Sequence, residues 1–188
     1  MKKTSGAAES PSNLNLPNVL TSLRIIAIPL FVWLVLRSGS EHAGWMWASF
    51  VLFIALMITD KLDGDIARAR GLVTNFGKIA DPIADKALMI AALISLNLTG
   101  ALWWWVTVLI VVRELGITLW RMGQLRAGRV VPASRGGKLK TVLQSVAVAL
   151  YLLPLPGFLH PLVVLVMLVA VLVTVATGVQ YILTSRRR

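Results

Sequence analysis

The feature that most constrains the fold is a series of long apolar stretches that fills most of the chain. About 20 apolar residues in a helix, rising about 1.5 Å per residue, cross a hydrocarbon core of about 30 Å. Of the 188 residues 57% are hydrophobic, more than a soluble domain needs for its core. We therefore predict an all-α integral membrane fold with six transmembrane helices, near Val19–Leu36, Trp45–Asp60, Ile79–Leu98, Leu102–Trp120, Leu139–Leu155 and Leu159–Leu183.

The distribution of basic residues predicts the orientation of these helices. The chain has 19 Lys and Arg residues against 8 acidic ones, a net charge of +11. Cytoplasmic loops are enriched in Lys and Arg, and here the basic residues gather around 61–78, around 121–140 and at both termini. We expect those parts to be cytoplasmic in a multi-pass protein of the inner membrane. Long apolar stretches separate the basic residues, which argues against a nucleic-acid-binding face.

Three segments are expected along the chain. Residues 1–13 are polar and are predicted to form a disordered cytosolic tail, residues 14–185 one six-helix membrane domain with a polar cavity, and residues 186–188 a basic cytosolic terminus. The sequence contains no cysteine, which excludes thiolate catalysis and cysteine-ligated zinc.

All five aspartates lie between positions 60 and 85, at the predicted cytoplasmic ends of the second and third helices. Asp60 and Asp63 are three positions apart and Asp81 and Asp85 are four apart, so on helices each pair shares one face. Two such helices joined by a turn would bring four carboxylates into one space. Asp65 is two positions from Asp63, about 200° round a helix, and is expected to face elsewhere.

Four clustered carboxylates predict a site for divalent cations, because without cations they would repel one another. Ligation by oxygen alone suits Mg²⁺ or Mn²⁺. Two metal ions about 3.5–4 Å apart can stabilise both the entering and the leaving oxygen in a displacement at phosphorus. We therefore predict Mg²⁺ or Mn²⁺, two per active site, with four ligands: Asp60, Asp63, Asp81 and Asp85.

Small and basic residues accompany the aspartates. Gly64 and Ala67 would admit a nucleotide ring, or equally a closely packed helix. Arg68 and Lys78 either act as topological charges or contact phosphate.

The arrangement D-x2-D-G-x2-A-R-x8-G-x3-D-x3-D, from Asp60 to Asp85, resembles the signature of the CDP-alcohol phosphotransferase family at every defined position. The resemblance implies that the four aspartates hold two divalent metals, that Asp85 is the general base, and that the protein works as a homodimer. Spacing alone leaves Asp81 and Asp85 as alternatives for the base. The donor-binding residues expected with this motif are Gly64, Ala67, Arg68, Gly77 and Lys78.

The second basic segment is expected to select the acceptor. Arg113 and Arg121 lie eight positions apart on one helix face, and a phosphorylated acceptor would explain the basic residues, although a topological role is the alternative. For Glu114 we favour an ion pair, because an ionisable residue in an apolar helix is costly unless it faces the protein interior. The predicted acceptor-phosphate residues are Arg113, Arg121, Arg135, Lys138 and Lys140.

Residues 15–24, Arg113-Glu114, Arg121 and residues 133–144 resemble bacterial phosphatidylglycerophosphate synthases within that family. This resemblance implies CDP-diacylglycerol as donor and glycerol 3-phosphate as acceptor, with CMP released. Phosphatidylinositol phosphate synthases also take a phosphorylated polyol, so such a synthase or another CDP-diacylglycerol-dependent phosphatidyltransferase is one alternative. A divalent-cation transporter is another, but it predicts carboxylates near the midplane and a repeated motif.

Overall fold

The computed structural model describes residues 15–38, 43–72, 74–126 and 135–186. In these ranges the chain is all-helical, as predicted, and a short 3₁₀ turn at Gly157–Leu159 precedes the last helix. The predicted cytosolic tail (1–13) and residues 187–188 of the predicted basic terminus lie outside the described ranges. The six α-helices are α1 Leu16–Ser38, α2 Ala43–Ala69, α3 Asn75–Leu98, α4 Trp104–Arg126, α5 Arg135–Leu152 and α6 His160–Arg186.

The second helix is longer than its apolar stretch. The sequence predicts that this stretch ends near Asp60, whereas α2 continues through the aspartate motif to Ala69. It ends where Gly71 adopts a φ of 65°, a conformation that glycine adopts without strain. The next helix, α3, begins after Thr74, whose hydroxyl accepts a hydrogen bond from Gly77 N at 3.0 Å and so caps the helix. Both pairs of aspartates therefore lie on regular helix.

The helices pack around one apolar core. Helix α1 lies against α2 and α3, and α6 lies against α4 and α5, while α3 contacts both α4 and α5. The rings of Phe31 and Phe53 join α1 to α2 with centroids 5.8 Å apart. Each helix contributes a buried side chain to this core, among them Phe31, Phe53, Leu88, Ile110, Val148 and Met167.

The outward faces of the helices are apolar as well. Large exposed side chains occur on every helix, for example Ile26, Val51, Ile83, Val112, Val142 and Leu172. Within the described ranges, three segments are long and apolar enough to cross a membrane: Leu16–Ser38, Ala43–Ala69 and Gly157–Ser185. Helices α3, α4 and α5 each contain three or four charged residues. The architecture is that of a helical membrane protein.

Candidate active site

One aspartate pair lies on α2 and the other on α3, and both of these helices pack against α1. Asp60 is close enough to Asp63, Asp81 and Asp85 to be repelled by all three. Asp63 is buried, whereas Asp60 and Asp85 are partly exposed. Asp65 is exposed and pairs with Arg68 at 2.8 Å. The structure thus places the other three predicted ligands near Asp60, and Asp65 in a separate, solvent-exposed ion pair.

A buried arginine from α1 lies against the first pair. Arg24 is only 1% exposed and donates to Asp60 Oδ1 at 2.6 Å and, through its other terminal nitrogen, to Asp63 Oδ2. Its Nε atom is buried with no hydrogen-bond partner among the described residues. A charge removed from water in this way is costly unless it is paired, so the two carboxylates determine where this side chain lies.

Two more side chains of α1 reach the second pair and its loop. The hydroxyl of Thr21 lies 2.6 Å from Asp81 Oδ1, and Asn18 Nδ2 donates to Thr74 Oγ1 at 2.9 Å. Asn18, Thr21 and Arg24 are nearly fully buried and recur every three positions, so they form one polar stripe on α1. Sequence reasoning assigned them no role. The available signal was this stripe of polar residues at helical spacing inside an apolar span.

The donor chemistry of the cluster fits a divalent cation. The candidate ligands are hard carboxylate oxygens from α2 and α3, which both pack against α1, and positive charge relieves their mutual repulsion. In this conformation, among the described residues, no three acidic or histidine side chains close around a single ion. This open arrangement of the carboxylates is favoured by their mutual repulsion and by the attraction of Asp60 and Asp63 to Arg24.

A cleft opens beside the aspartates between the amino end of α1 and the α2–α3 loop. It measures about 320 Å³ and is lined by Asp81 together with four of the predicted donor-binding residues: Gly64, Ala67, Arg68 and Gly77. The side chain of Lys78, the fifth, lies outside the described part of the structure. Arg68, 70% exposed at the rim, is free to leave Asp65 at little cost, since exposed ion pairs contribute about 0–1 kcal/mol.

The wall of this cleft at Gly77 is tightly packed. A Cβ atom at this position would lie 2.9 Å from Asn18 Oδ1 and 3.4 Å from Thr74 Oγ1. Contacts below 3.0 Å force neighbouring atoms to shift. Glycine at this motif position therefore allows α1 to approach α3, in addition to any contact with a ligand.

On its other side the cluster meets a second polar group. Asp85 lines a small cavity of about 30 Å³ together with Glu114, Lys140 and Gln144. A cavity of this size holds about one water molecule. Asp85 is thus the aspartate that borders both the carboxylate cluster and the polar contacts between α4 and α5.

The predicted acceptor residues divide into two kinds. Arg113 and Lys140 both pair with Glu114, which confirms the ion pair expected for that residue, and Arg113 also donates to the carbonyl oxygen of Thr174 at 3.1 Å. These two side chains are largely buried. By contrast, Arg121 and Lys138 are exposed. The side chain of Arg135 lies outside the described residues.

Comparison with known proteins links these features to a family. Residues 14–176 match the model of the CDP-alcohol phosphatidyltransferase family. The chain is 48% identical over 173 residues to "Probable phosphatidylglycerophosphate synthase" of Mycobacterium tuberculosis strain H37Rv, covering 92% of this chain and 82% of the relative.

Two further relatives carry a more specific name. The chain is 40% identical over 183 residues to "CDP-diacylglycerol–glycerol-3-phosphate 3-phosphatidyltransferase" of Bacillus subtilis, covering 89% of this chain and 93% of the relative. It is 37% identical over 171 residues to the protein of the same name from Rickettsia typhi, covering 89% and 94%. These matches confirm the resemblance first seen in the motif between Asp60 and Asp85.

Proposed function

Because the chain belongs to the CDP-alcohol phosphatidyltransferase family, we propose that it transfers the phosphatidyl group of CDP-diacylglycerol to glycerol 3-phosphate and releases CMP. The products are phosphatidylglycerophosphate and CMP, and the names of the relatives in Bacillus and Rickettsia support this choice of substrates. The observation that carries the proposal is the cleft in which four donor-binding residues of the motif meet the aspartate cluster.

The donor occupies this cleft in the proposal. Gly64, Ala67 and Gly77 leave space for the cytidine nucleotide, and the exposed Arg68 contacts a phosphate oxygen in place of Asp65. The diacylglycerol tails extend into the bilayer. Lys78, next to Gly77 in the sequence, is a further proposed phosphate contact.

The aspartates supply the metal site and the base. Members of this family generally use divalent metal ions, and we assign Asp60, Asp63, Asp81 and Asp85 as ligands for two Mg²⁺ or Mn²⁺ ions. When bound, the ions polarise phosphoryl oxygens of the donor as Lewis acids. Asp85 accepts the proton of the acceptor hydroxyl, whose oxygen bonds to the lipid-side phosphorus while the pyrophosphate bond breaks and CMP leaves. Asp85 then releases the proton to water.

The acceptor enters from the side of Asp85 that faces α4 and α5. Arg121 and Lys138 are exposed cations on these helices, and neither forms an ion pair with another described residue, so each can bind a phosphate without first losing such a pair. Arg113 and Lys140 form ion pairs with Glu114. In the proposal their positive charges attract the acceptor phosphate from a distance, and their packing supports this side of the site. We propose Arg135 as a third contact for the acceptor phosphate.

The enzyme is proposed to cross the inner membrane six times, with both termini and the active site on the cytoplasmic side. Exposed apolar side chains on all six helices support a bilayer environment for each of them. The single membrane domain covers residues 14–185 and works as a homodimer.

A test of acceptor choice addresses the proposal directly. Purified protein in nanodiscs with CDP-diacylglycerol and Mn²⁺ should form lipid product and CMP with labelled glycerol 3-phosphate. It should form at least tenfold less with inositol phosphate or with glycerol, which lacks the phosphate. Product analysis by mass spectrometry measures all three. A preference for inositol phosphate would contradict the acceptor assignment and leave the reaction type intact.

The same assay examines the acceptor site. Arg121→Ala should raise the KM for glycerol 3-phosphate about tenfold, since a charge-assisted hydrogen bond contributes about 1.5–3 kcal/mol, with a smaller change in the KM for the donor. Arg126→Ala, another exposed arginine near the end of α4, is the matched control and should leave both constants within twofold.

A further inference from the structure

The polar stripe of α1 contacts three of the four aspartates, although α1 contributes none of them. Arg24 bonds Asp60 and Asp63, and Thr21 bonds Asp81. Each of these contacts joins positions far apart in the sequence, by 36, 39 and 60 residues. A helix outside the motif thus connects both helices that carry it.

The contacts use one oxygen of each carboxylate. Arg24 takes Asp60 Oδ1 and Asp63 Oδ2, and Thr21 takes Asp81 Oδ1. The second oxygens of Asp60 and Asp81 accept no hydrogen bond from the described residues and are available to a cation, whereas Asp63 also accepts a backbone hydrogen bond from Gly64. Carboxylates that bind metals are commonly held by hydrogen bonds in this way, and loss of such a partner typically weakens metal binding about 10- to 100-fold.

The stripe lies on the buried side of the cluster. Arg24 and Thr21 are each about 1% exposed, whereas Asp60 is 29% exposed. Arg24 also leaves its own Nε unpaired among the described residues while both terminal nitrogens meet carboxylates. These features fit a side chain that orients the carboxylates from their buried side. A cation that competed with the metal for these carboxylates would have to lie on their exposed side instead.

We propose that Arg24 and Thr21 are positioning residues that orient Asp60, Asp63 and Asp81 for metal binding. The proposal rests on the assignment of these aspartates as metal ligands. Arg24 fixes the spacing of the α2 pair by bridging both of its carboxylates, and Thr21 fixes Asp81 relative to them. Because both residues lie on one rigid helix, they fix the positions of the three carboxylates relative to one another.

Titration of Mn²⁺ into the full-length protein tests the proposal without any turnover. The protein is placed in phosphatidylcholine nanodiscs, which carry no net lipid charge, and free Mn²⁺ is measured by electron paramagnetic resonance. Arg24→Lys keeps the positive charge but replaces the planar fork that spans two carboxylates. It should raise the dissociation constant about tenfold or more, and Thr21→Val, which removes one hydroxyl at nearly constant volume, should raise it severalfold.

Arg37→Lys is the matched control, because it makes the same change at the other end of α1, beside Trp33. Its Mn²⁺ affinity should stay within twofold of wild type. Unchanged or tighter Mn²⁺ binding in Arg24→Lys would overturn the proposal, since a purely structural or competing arginine predicts those results. If Arg24→Lys fails to fold, the affinity of folded Thr21→Val decides: weaker binding supports the proposal and unchanged binding overturns it.

The variant Asp60→Asn separates failure of this inference from failure of the metal site. Weaker Mn²⁺ binding in Asp60→Asn together with normal binding in Arg24→Lys and Thr21→Val would refute the positioning role alone. Wild-type binding in Asp60→Asn would refute the ligand assignment and the positioning role with it.

Discussion

At the scale of single residues, the aspartates differ through their neighbours. Asp60 and Asp63 share Arg24, and Asp81 has Thr21, while Asp85 borders the small cavity next to Glu114 and Lys140. Spacing along the helix left Asp81 and Asp85 equivalent as candidate bases. The position of Asp85 between the cluster and the proposed acceptor side favours it.

Asp85→Asn should lower kcat about 10²- to 10⁴-fold, the usual contribution of a general base, while CDP-diacylglycerol still binds. Transfer of labelled glycerol 3-phosphate measures the rate, and equilibrium binding of labelled donor measures affinity. Asp65→Asn is the control, because Asp65 lies on α2 in an exposed ion pair with Arg68. The kcat of this variant should stay within twofold of wild type. A kcat for Asp85→Asn near that of wild type would exclude it as the base.

Sequence reasoning found residues whose neighbours are close along the chain and missed those whose partners are distant. The helical spacing of Asp60 and Asp63 is visible in the sequence, and the cost of burying Glu114 predicts a pair. Arg24 could not be assigned in the same way, because its partners lie 36 and 39 positions later. Its polarity inside an apolar span signals a functional contact without identifying the partner.

At the scale of helices, the close approach of α1 to α3 shapes the site. Apolar stretches were sufficient to predict all six helices, but they ended α2 too early, because hydropathy does not register its polar last turns, where Asp60 and Asp63 are held by Arg24 of α1. The loop between α2 and α3 is fixed by Asn15, which donates to the carbonyl oxygen of Leu72 at 3.1 Å, and by the contacts of Asn18 with Thr74. Such contacts depend on tertiary structure, and apolar periodicity does not reveal them.

Gly77→Ala should lower stability by about 1–3 kcal/mol, the usual cost of overpacking, because the new Cβ would lie 2.9 Å from Asn18 Oδ1. Thermal unfolding in detergent measures this, and donor KM should rise as the cleft distorts. Gly123→Ala in α4, where no atom of another described residue would lie within 4 Å of the new Cβ, should be neutral or slightly stabilising. A rise in donor KM without loss of stability in Gly77→Ala would mean that Gly77 acts through the ligand alone.

At the scale of the whole molecule, charge and hydropathy predict a membrane orientation. The described loops between α3 and α4 and between α5 and α6, residues 99–103 and 153–156, contain no Lys or Arg, whereas the carboxyl ends of α2 and α4 contain several. This asymmetry predicts that the aspartate cluster and the basic segments face the same compartment.

The absence of cysteine from the sequence makes this orientation directly measurable. Single variants Ala101→Cys and Phe158→Cys should react with an impermeant maleimide in right-side-out vesicles, because both positions are exposed in the predicted external loops. Arg70→Cys and Arg126→Cys should react only in inverted vesicles. Reaction of Ala101→Cys and Arg70→Cys from the same side would contradict the six-span topology.

The dependence of Arg24 on later residues has a consequence for biogenesis. Arg24 lies about 12 Å into α1, at about 1.5 Å per residue from Leu16, so the isolated first helix would carry an unneutralised guanidinium into the bilayer at a cost of about 2.5–3.5 kcal/mol. Asp63 follows 39 residues later, which at about 5–20 residues per second means about 2–8 s of synthesis. During that interval α1 should remain beside the translocation machinery or at the headgroup level, and its stable integration should coincide with the arrival of α2.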